Sequence, residues 1–247
     1  MTDKVRLDIL VQERAGVSRS KARGLIHTGN VVDSGGEPLR KPGQLIDRET
    51  AIAIKAAHKY VSRGGEKLEA GLREFGLNVQ GLVALDAGAS TGGFTDCLLQ
   101  HGAAKVYAID VGYGQIDWSL RQNDRVVVIE RTNVRTLDPA LIHDPIEFFS
   151  ADCSFISLKL VLPGIIPVLD ARAEGLVLVK PQFEAGPERV GKGGVVRDPT
   201  VHDAVLADIE NAAVELGFDV RGVVPSPLLG PAGNREFLMQ LYWSKTA

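Results

Sequence analysis

The chain has 247 residues, 45% apolar and 24% charged, which suits a soluble globular protein with one large domain, alone or joined to a small one. Two cysteines, Cys97 and Cys153, are too few for a disulfide framework or a four-cysteine zinc site and fit a reducing cytoplasm. The first residues lack the apolar stretch of a secretory signal. The longest apolar run, Leu160 to Leu169, is interrupted by Pro163, Gly164 and Pro167 and is too short for a membrane span.

A net charge of −3 argues by itself against nucleic acid, but the charge is unevenly spread. Residues 1–60 hold 11 Lys and Arg against 7 Asp and Glu, net +4, whereas residues 61–247 hold 17 against 24, net −7. A basic small unit therefore precedes an acidic large one.

Apolar spacing over Val5 to Val11 predicts a first helix, with Asp3 available as its cap and Gly16 as its end. Ser18 is placed to cap a second helix, Arg19 to His27, and Gly29 to close it in the left-handed conformation. Short strands follow at Val31–Asp33, Gln44–Ile46 and Ala51–Lys55, separated by turns at Gly35-Gly36 and Lys41-Pro42-Gly43. Arg19, Lys21 and Arg23 crowd the start of the second helix, where the macrodipole disfavours cations. That placement makes sense if a phosphate sits there, since helix N–H groups and cations then act together.

Arg6-Leu7-Asp8, the run Ser18-Arg19 through Ala22, Leu25-Ile26, Gly29 and Val31-Val32, and Lys41-Pro42-Gly43 together resemble an S4 domain, an RNA-binding module. The resemblance implies contacts with structured RNA, mostly to phosphates, through Arg6, Arg19, Lys21, Arg23, Arg40 and Lys41, with Lys59 and Arg63 adjoining. Residues 1–57 then form an S4-like domain and residues 58–63 a linker.

A helix is expected from Glu66 to about Phe75; by spacing alone, its Lys67 is an exposed lysine. Strands are expected at Leu82–Asp86, Lys105–Asp110, Arg125–Glu130, Glu147–Ala151 and Gly175–Lys180, a helix at His202–Leu216, and late strands at Asp219–Val224 and Glu236–Trp243, read as an antiparallel edge. Repeated strand–helix units imply a mainly parallel sheet with ligands at the strand C-termini.

The first turn, Asp86-Ala87-Gly88-Ala89-Ser90-Thr91-Gly92-Gly93-Phe94, could cradle a pyrophosphate or S-adenosylmethionine. Ser90 stands where a dinucleotide site needs its second glycine, and Asp86 would repel a pyrophosphate but suit the cations of S-adenosylmethionine. Asp110, 22 residues after Gly88, is placed to accept from ribose hydroxyls in either case. Cys153 follows an acid, which disfavours a thiolate, so it reads as a small buried residue. Asp152 points into the cleft, and Lys180 ends a buried strand where an ammonium must be paired or desolvated. Such a lysine can take a hydroxyl proton or stabilise a developing alkoxide, with no metal required.

Ser62-Arg63 with Lys67-Leu68, the Asp86 to Phe94 turn, Asp152, Lys180-Pro181-Gln182-Phe183-Glu184 and Asn234-Arg235-Glu236 look like the FtsJ-type 2′-O-methyltransferases. With the S4-like start, the whole chain resembles the TlyA family, members of which also go by the name hemolysin. The resemblance implies a Rossmann-like class I methyltransferase with a mostly parallel seven-stranded α/β sheet over residues 64–247, preceded by the small α+β domain. It also implies S-adenosylmethionine-dependent methylation of cytidine 2′-hydroxyls in ribosomal RNA or ribosomal subunits, without stable membrane association. The catalytic set maps onto Lys67, Asp152, Lys180 and Glu236, and cofactor contacts onto Asp86, Gly88, Ser90, Thr91, Gly92, Gly93, Phe94, Asp110, Asn133 and Asp152. One departure is Tyr60 in the linker, where some relatives carry Trp. Glycine-rich Glu184 to Asp198 is expected to be a mobile lid. Three rival readings are a membrane-active hemolysin, an RNA-binding factor with an inactive methyltransferase fold, and a dinucleotide oxidoreductase, which Ser90 disfavours.

Overall fold

The computed structural model describes residues 3–54 and 59–245. Two units separate, Met1–His58 and Lys59–Ala247.

In the smaller unit, β1 (Lys4–Arg6) runs straight into α1 (Leu7–Ala15), followed by α2 (Arg19–His27), β2 (Val31–Asp33), β3 (Leu45–Asp47) and β4 (Ile52–Ile54). β1 pairs antiparallel with β3, and β2 with β4. The first helix thus begins two residues later than its apolar spacing predicts, and Asp3 is not its cap. The amides of Leu7 and Asp8 donate to the Gln44 and Pro42 carbonyls at 2.8 and 2.9 Å, so the turn before β3 satisfies helix donors that a cap residue would otherwise serve. Ser18 does cap α2, accepting from the Lys21 amide at 3.3 Å. Leu7, Leu10, Val11, Ala22, Ile26 and Val31 close a small core. Of the predicted strand Ala51–Lys55, Lys55 lies outside the described residues, as does His58 of the predicted linker.

The larger unit opens with α3 (Gly64–Glu74) and then alternates β5 (Val83–Ala87), α4 (Gly93–Gln100), β6 (Lys105–Ile109), α5 (Trp118–Arg121), β7 (Val126–Ile129), β8 (Ile146–Ala151), α6 (Leu158–Ile165), β9 (Leu169–Val179), α7 (Pro181–Glu184) and α8 (Pro199–Glu215). Two long strands, β10 (Phe218–Pro225) and β11 (Phe237–Ser244), complete it. The seven strands are ordered β10-β11-β9-β8-β5-β6-β7. Neighbours from β9 to β7 are parallel, and β11 is antiparallel to both β9 and β10. The last strand is therefore an interior one rather than an edge, consistent with the complete burial of Leu238, Met239 and Leu241. The apolar run that includes Pro163 folds as α6, capped by Ser157.

Apolar side chains fill both faces of the sheet, one cluster around Leu85, Phe149 and Val177 and another around Leu98, Phe148 and Leu176. The chain leaves β5 toward β6 and β7 and returns to the opposite side with β8. The strand order thus reverses beside the C-terminal ends of β5 and β8, where an open α/β sheet forms its binding crevice.

Candidate active site

The crevice is built from the turn between β5 and α4. Gly88 and Ser90 adopt φ of +81° and +50°. The amides of Gly88 and Ala89 donate to the Ile109 carbonyl at 2.9 and 3.0 Å, tying the turn to β6. A side chain at Gly88 would put its Cβ 3.0 Å from the Asp152 carbonyl oxygen, so glycine is required twice over, by conformation and by the close approach of the β8 end. Asp110 holds the turn from the other side: its carboxylate accepts from the Ser90 and Gly112 amides, each at 2.7 Å.

Two hollows meet at Gly88, Ser90, Asp152 and Ser154. One, of about 460 Å³, is lined by Asp110, Gln115, Asn133, Ile156 and neighbours. Its volume falls in the range of about 300–1,000 Å³ usual for small-molecule sites. The other, of about 290 Å³, is lined by Thr91, Gly93, Phe94, Arg63 and the four residues Lys67, Asp152, Lys180 and Glu236. The residues fit S-adenosylmethionine better than a pyrophosphate. Asp110 and Asp152 make the walls acidic, and the Ser90 amide that could meet a phosphate is already engaged by Asp110. Asp110 retains lone pairs for ribose hydroxyls, and the Asn133 side-chain oxygen accepts from the Arg135 amide at 3.1 Å, leaving its NH₂ group to face a ligand.

Asp86 corrects the sequence reading. It is fully buried between strands and α4, accepts from Thr95 Oγ1 at 2.7 Å and Ser150 Oγ at 3.1 Å, and lines neither hollow. Burial pushes its carboxyl up to about 7 in spite of the two hydroxyl donors. It anchors the turn from beneath instead of meeting a ligand. Gly92 also lies outside the lining; its φ of +94° shapes the entry to α4. Burial pushes the Cys153 thiol up to about 12, in keeping with an inert residue.

The four residues of the predicted catalytic set converge as two ion pairs. Lys67 Nζ meets Glu236 Oε2 at 2.5 Å, with the lysine buried and the glutamate 1% exposed. Lys67 is therefore not the exposed lysine that spacing suggests. Lys180 Nζ meets Asp152 Oδ1 at 2.6 Å. That contact is an ion pair off the hydrogen-bonding direction of the carboxylate oxygen; the aligned bonds of Lys180 go to Ser154 Oγ at 2.9 Å and to the Asp152 carbonyl at 3.4 Å. Each lysine is thus a paired ammonium at the edge of the crevice.

Sequence reasoning missed Phe155. Its ring is 89% exposed beside the hollows, its φ is +62°, and it lies 4.9 Å from the Phe183 ring. An exposed aromatic held in a strained conformation is a functional signal that only the structure supplies. Glycine-rich 184–198 is also more ordered than predicted. Asn234 Oδ1 accepts from the Val196 amide at 3.0 Å, Asn234 Nδ2 donates to the Gly194 carbonyl at 2.8 Å, and Val195 and Val196 are buried.

The predicted RNA-contacting cations divide into two groups. In the smaller unit Arg6 and Arg19 both bind buried Asp8, at 3.0 and 3.1 Å, while remaining half exposed themselves. Lys21, Arg23, Arg40 and Lys41 are exposed, and Arg19, Arg23 and His27 share a shallow groove along α2. In the larger unit Arg63 is exposed at the mouth of the crevice, but Lys59 is paired with Glu69. The Val61 amide donates to Asp96 Oδ2 at 2.9 Å, so the described part of the predicted linker is fastened to α4. Among the described residues no helix is long and apolar enough to cross a membrane, and no three His, Cys, Asp or Glu side chains converge as a metal site.

A reversed-order parallel sheet with an acidic, glycine-lined crevice defines an S-adenosylmethionine-dependent methyltransferase fold. The FtsJ-like methyltransferase family model matches residues 60–242. Bacillus subtilis YqxC, which bears an rRNA-methyltransferase name, is 48% identical over 97% of this chain and 86% of its own length. The Mycobacterium tuberculosis 16S/23S rRNA (cytidine-2′-O)-methyltransferase TlyA is 45% identical over 98% of this chain and 91% of its own. A solved Streptococcus thermophilus chain bearing a hemolysin name superposes with a TM-score of 0.76 at 43% identity, covering 100% of this chain and 90% of that one. The chain belongs to the FtsJ-like methyltransferases, within the TlyA family.

Proposed function

We propose that this protein methylates the 2′-hydroxyl of a cytidine in ribosomal RNA, acting in the cytoplasm, with the basic face of its smaller unit holding the RNA. The observation that carries the reading is the pair of lysine–acid contacts, Lys180–Asp152 and Lys67–Glu236, at the rim of a crevice suited to a sulfonium donor. Bound S-adenosylmethionine supplies a methyl group already activated by positive sulfur.

What remains for the chain is to align a weakly acidic hydroxyl, whose proton leaves to solvent water at the open crevice as its oxygen takes the methyl group. Lys180 is ion-paired with Asp152 Oδ1 and donates to Ser154 Oγ and the Asp152 carbonyl, so it works as an ammonium that stabilises the oxygen as the O–H bond weakens. An incoming hydroxyl displaces the longest of these contacts, the 3.4 Å one to the Asp152 carbonyl. Asp152 pairs with Lys180 and holds it in place, and Glu236 does the same for Lys67, which faces the same hollow and orients the sugar. The exposed ring of Phe155 offers a face on which the target base stacks, as single-stranded RNA recognition commonly requires. In-line alignment of this kind accounts for effective molarities of roughly 10⁵ M or more.

The test is mass-spectrometric mapping of ribosomal RNA from cells with and without the gene. Deletion should remove a 2′-O-methylcytidine, and Lys180→Ala should fail to restore it while still binding S-adenosylmethionine. A rate loss of about 10²–10⁴-fold is expected for that variant. An unchanged methylation pattern on deletion rejects the reading.

A further inference from the structure

We propose that Ser154, which lies outside the Lys-Asp-Lys-Glu set, is a positioning residue that aims Lys180 at the target hydroxyl. The inference rests on the methyltransfer reading above and deepens it. Ser154 Oγ accepts from Lys180 Nζ at 2.9 Å, and Asp152 Oδ1 holds the same nitrogen at 2.6 Å. The Asp152 Oδ1 contact is an ion pair and sets no N–H direction, but an ammonium is tetrahedral, so the aligned bond to Ser154 Oγ fixes the rotation about Cε–Nζ and with it the directions of the other two protons. One of those two makes only the long bond to the Asp152 carbonyl at 3.4 Å, and it is the one available to a substrate. With the Asp152 contact alone, Lys180 could turn about its Cε–Nζ bond and the aim of the free proton would spread over an arc. The Phe183 ring, 5.9 Å from Nζ, attracts the cation without selecting a rotation.

Position supports the same role. Ser154 is exposed and is one of four residues shared by the two hollows, so it stands where donor and acceptor oxygen must meet. Because its oxygen accepts from Lys180, its own O–H has to turn away from that nitrogen. Ser154 is also followed directly by Phe155 at φ +62°, a strained residue whose conformation fixes where the β8 end turns.

The experiment compares the wild-type protein with Ser154→Ala, Ser154→Thr and Lys180→Ala. It measures single-turnover methylation of ribosomal subunits that lack the modification, with calorimetric binding of S-adenosylmethionine alongside. Ser154→Ala should lower the maximal rate roughly 10- to 100-fold while leaving KM for the subunit and Kd for S-adenosylmethionine within about twofold. Ser154→Thr, which keeps the hydroxyl, should recover most of the rate. A full rate in Ser154→Ala, with Lys180→Ala inactive, overturns the role of Ser154 and leaves the methyltransfer reading intact. Weakened S-adenosylmethionine binding in Ser154→Ala overturns it as well, because the serine would then hold the cofactor. A threonine variant as slow as the alanine one shows that the hydroxyl is not the determinant. A wild-type protein that binds S-adenosylmethionine but methylates no ribosomal RNA rejects the functional reading itself, and this inference with it.

Discussion

Each unit encloses an aspartate that solvent cannot reach, and the two are held in opposite ways. Asp8 in the smaller unit is covered by Arg6 and Arg19, whose own side chains are about half exposed. Hydrogen bonding from Arg6 outweighs desolvation and holds its carboxyl down at about 2. Asp86 in the larger unit is covered by β-sheet and helix, receives only the Thr95 and Ser150 hydroxyls, and is pushed up to about 7 by burial. Burial alone therefore does not say what an acid does. An acid covered by cations stays charged and ties segments together, whereas one covered by apolar structure holds a proton into the neutral range.

The largest effect expected from this contrast is in the catalytic unit. Because the folded value for Asp86 lies above its ordinary 3.8, the folded protein keeps a proton that the unfolded chain has released. Stability should fall as pH rises from about 4 to 7 and level off above that, by up to roughly 4 kcal/mol. Asp86→Asn removes the titration and should flatten that part of the profile. Urea midpoints of the two proteins across pH 4 to 8 check this, and equal slopes would break the contrast.

A smaller effect of opposite sign is expected at Asp8. Its folded value lies below 3.8, so its contribution is complete above that pH and lost as pH falls toward 2. Asp8→Asn should cost about 1–2 kcal/mol near neutral pH, the arginines being partly screened by solvent. The difference from wild type should close under strongly acidic conditions. Hydrogen exchange of the α1 and α2 amides in the full chain reads this locally; protection unchanged by the substitution at pH 7 would reject it.

How legible each feature was in the sequence follows from the same physics. The glycine-rich turn and Lys180 could be found because polar residues at the end of an apolar strand interrupt a strong pattern. The placement of Asp86 is not legible in the sequence because β5 is covered on both faces, so alternation gives no sign of which side a residue faces. The first half of β9 was hidden by Asp170, Arg172 and Glu174, which read as loop yet continue the pairing with β11 as far as Arg172. β1 reads as helix in the sequence because a three-residue strand exists only through its partner β3, some forty residues away. Phe155 is not legible in the sequence, because an aromatic after a buried strand looks like core until its exposure is known. The ties of Arg6 and Arg19 to Asp8 hid behind the same limit: spacing showed a basic cluster but not the acid beneath it.

That last tie separates cations of similar appearance. Arg19 binds Asp8, whereas among the described residues Lys21 and Arg23, on the same helix, have no ion-pair partner. If α2 meets RNA phosphates, all three contribute to binding, but only Arg19 also contributes to folding. Lys21→Ala and Arg23→Ala should leave stability within about 0.5 kcal/mol, as surface changes without partners do. Each should also lower the slope of log affinity for ribosomal RNA against log salt by about one. Arg19→Ala should change both quantities. Thermal unfolding together with salt-dependent RNA binding on the full chain resolves the two roles. If Lys21→Ala and Arg23→Ala leave the salt slope untouched, the basic face of α2 is only a solvated surface, and Asp8 is the sole reason for an arginine at position 19.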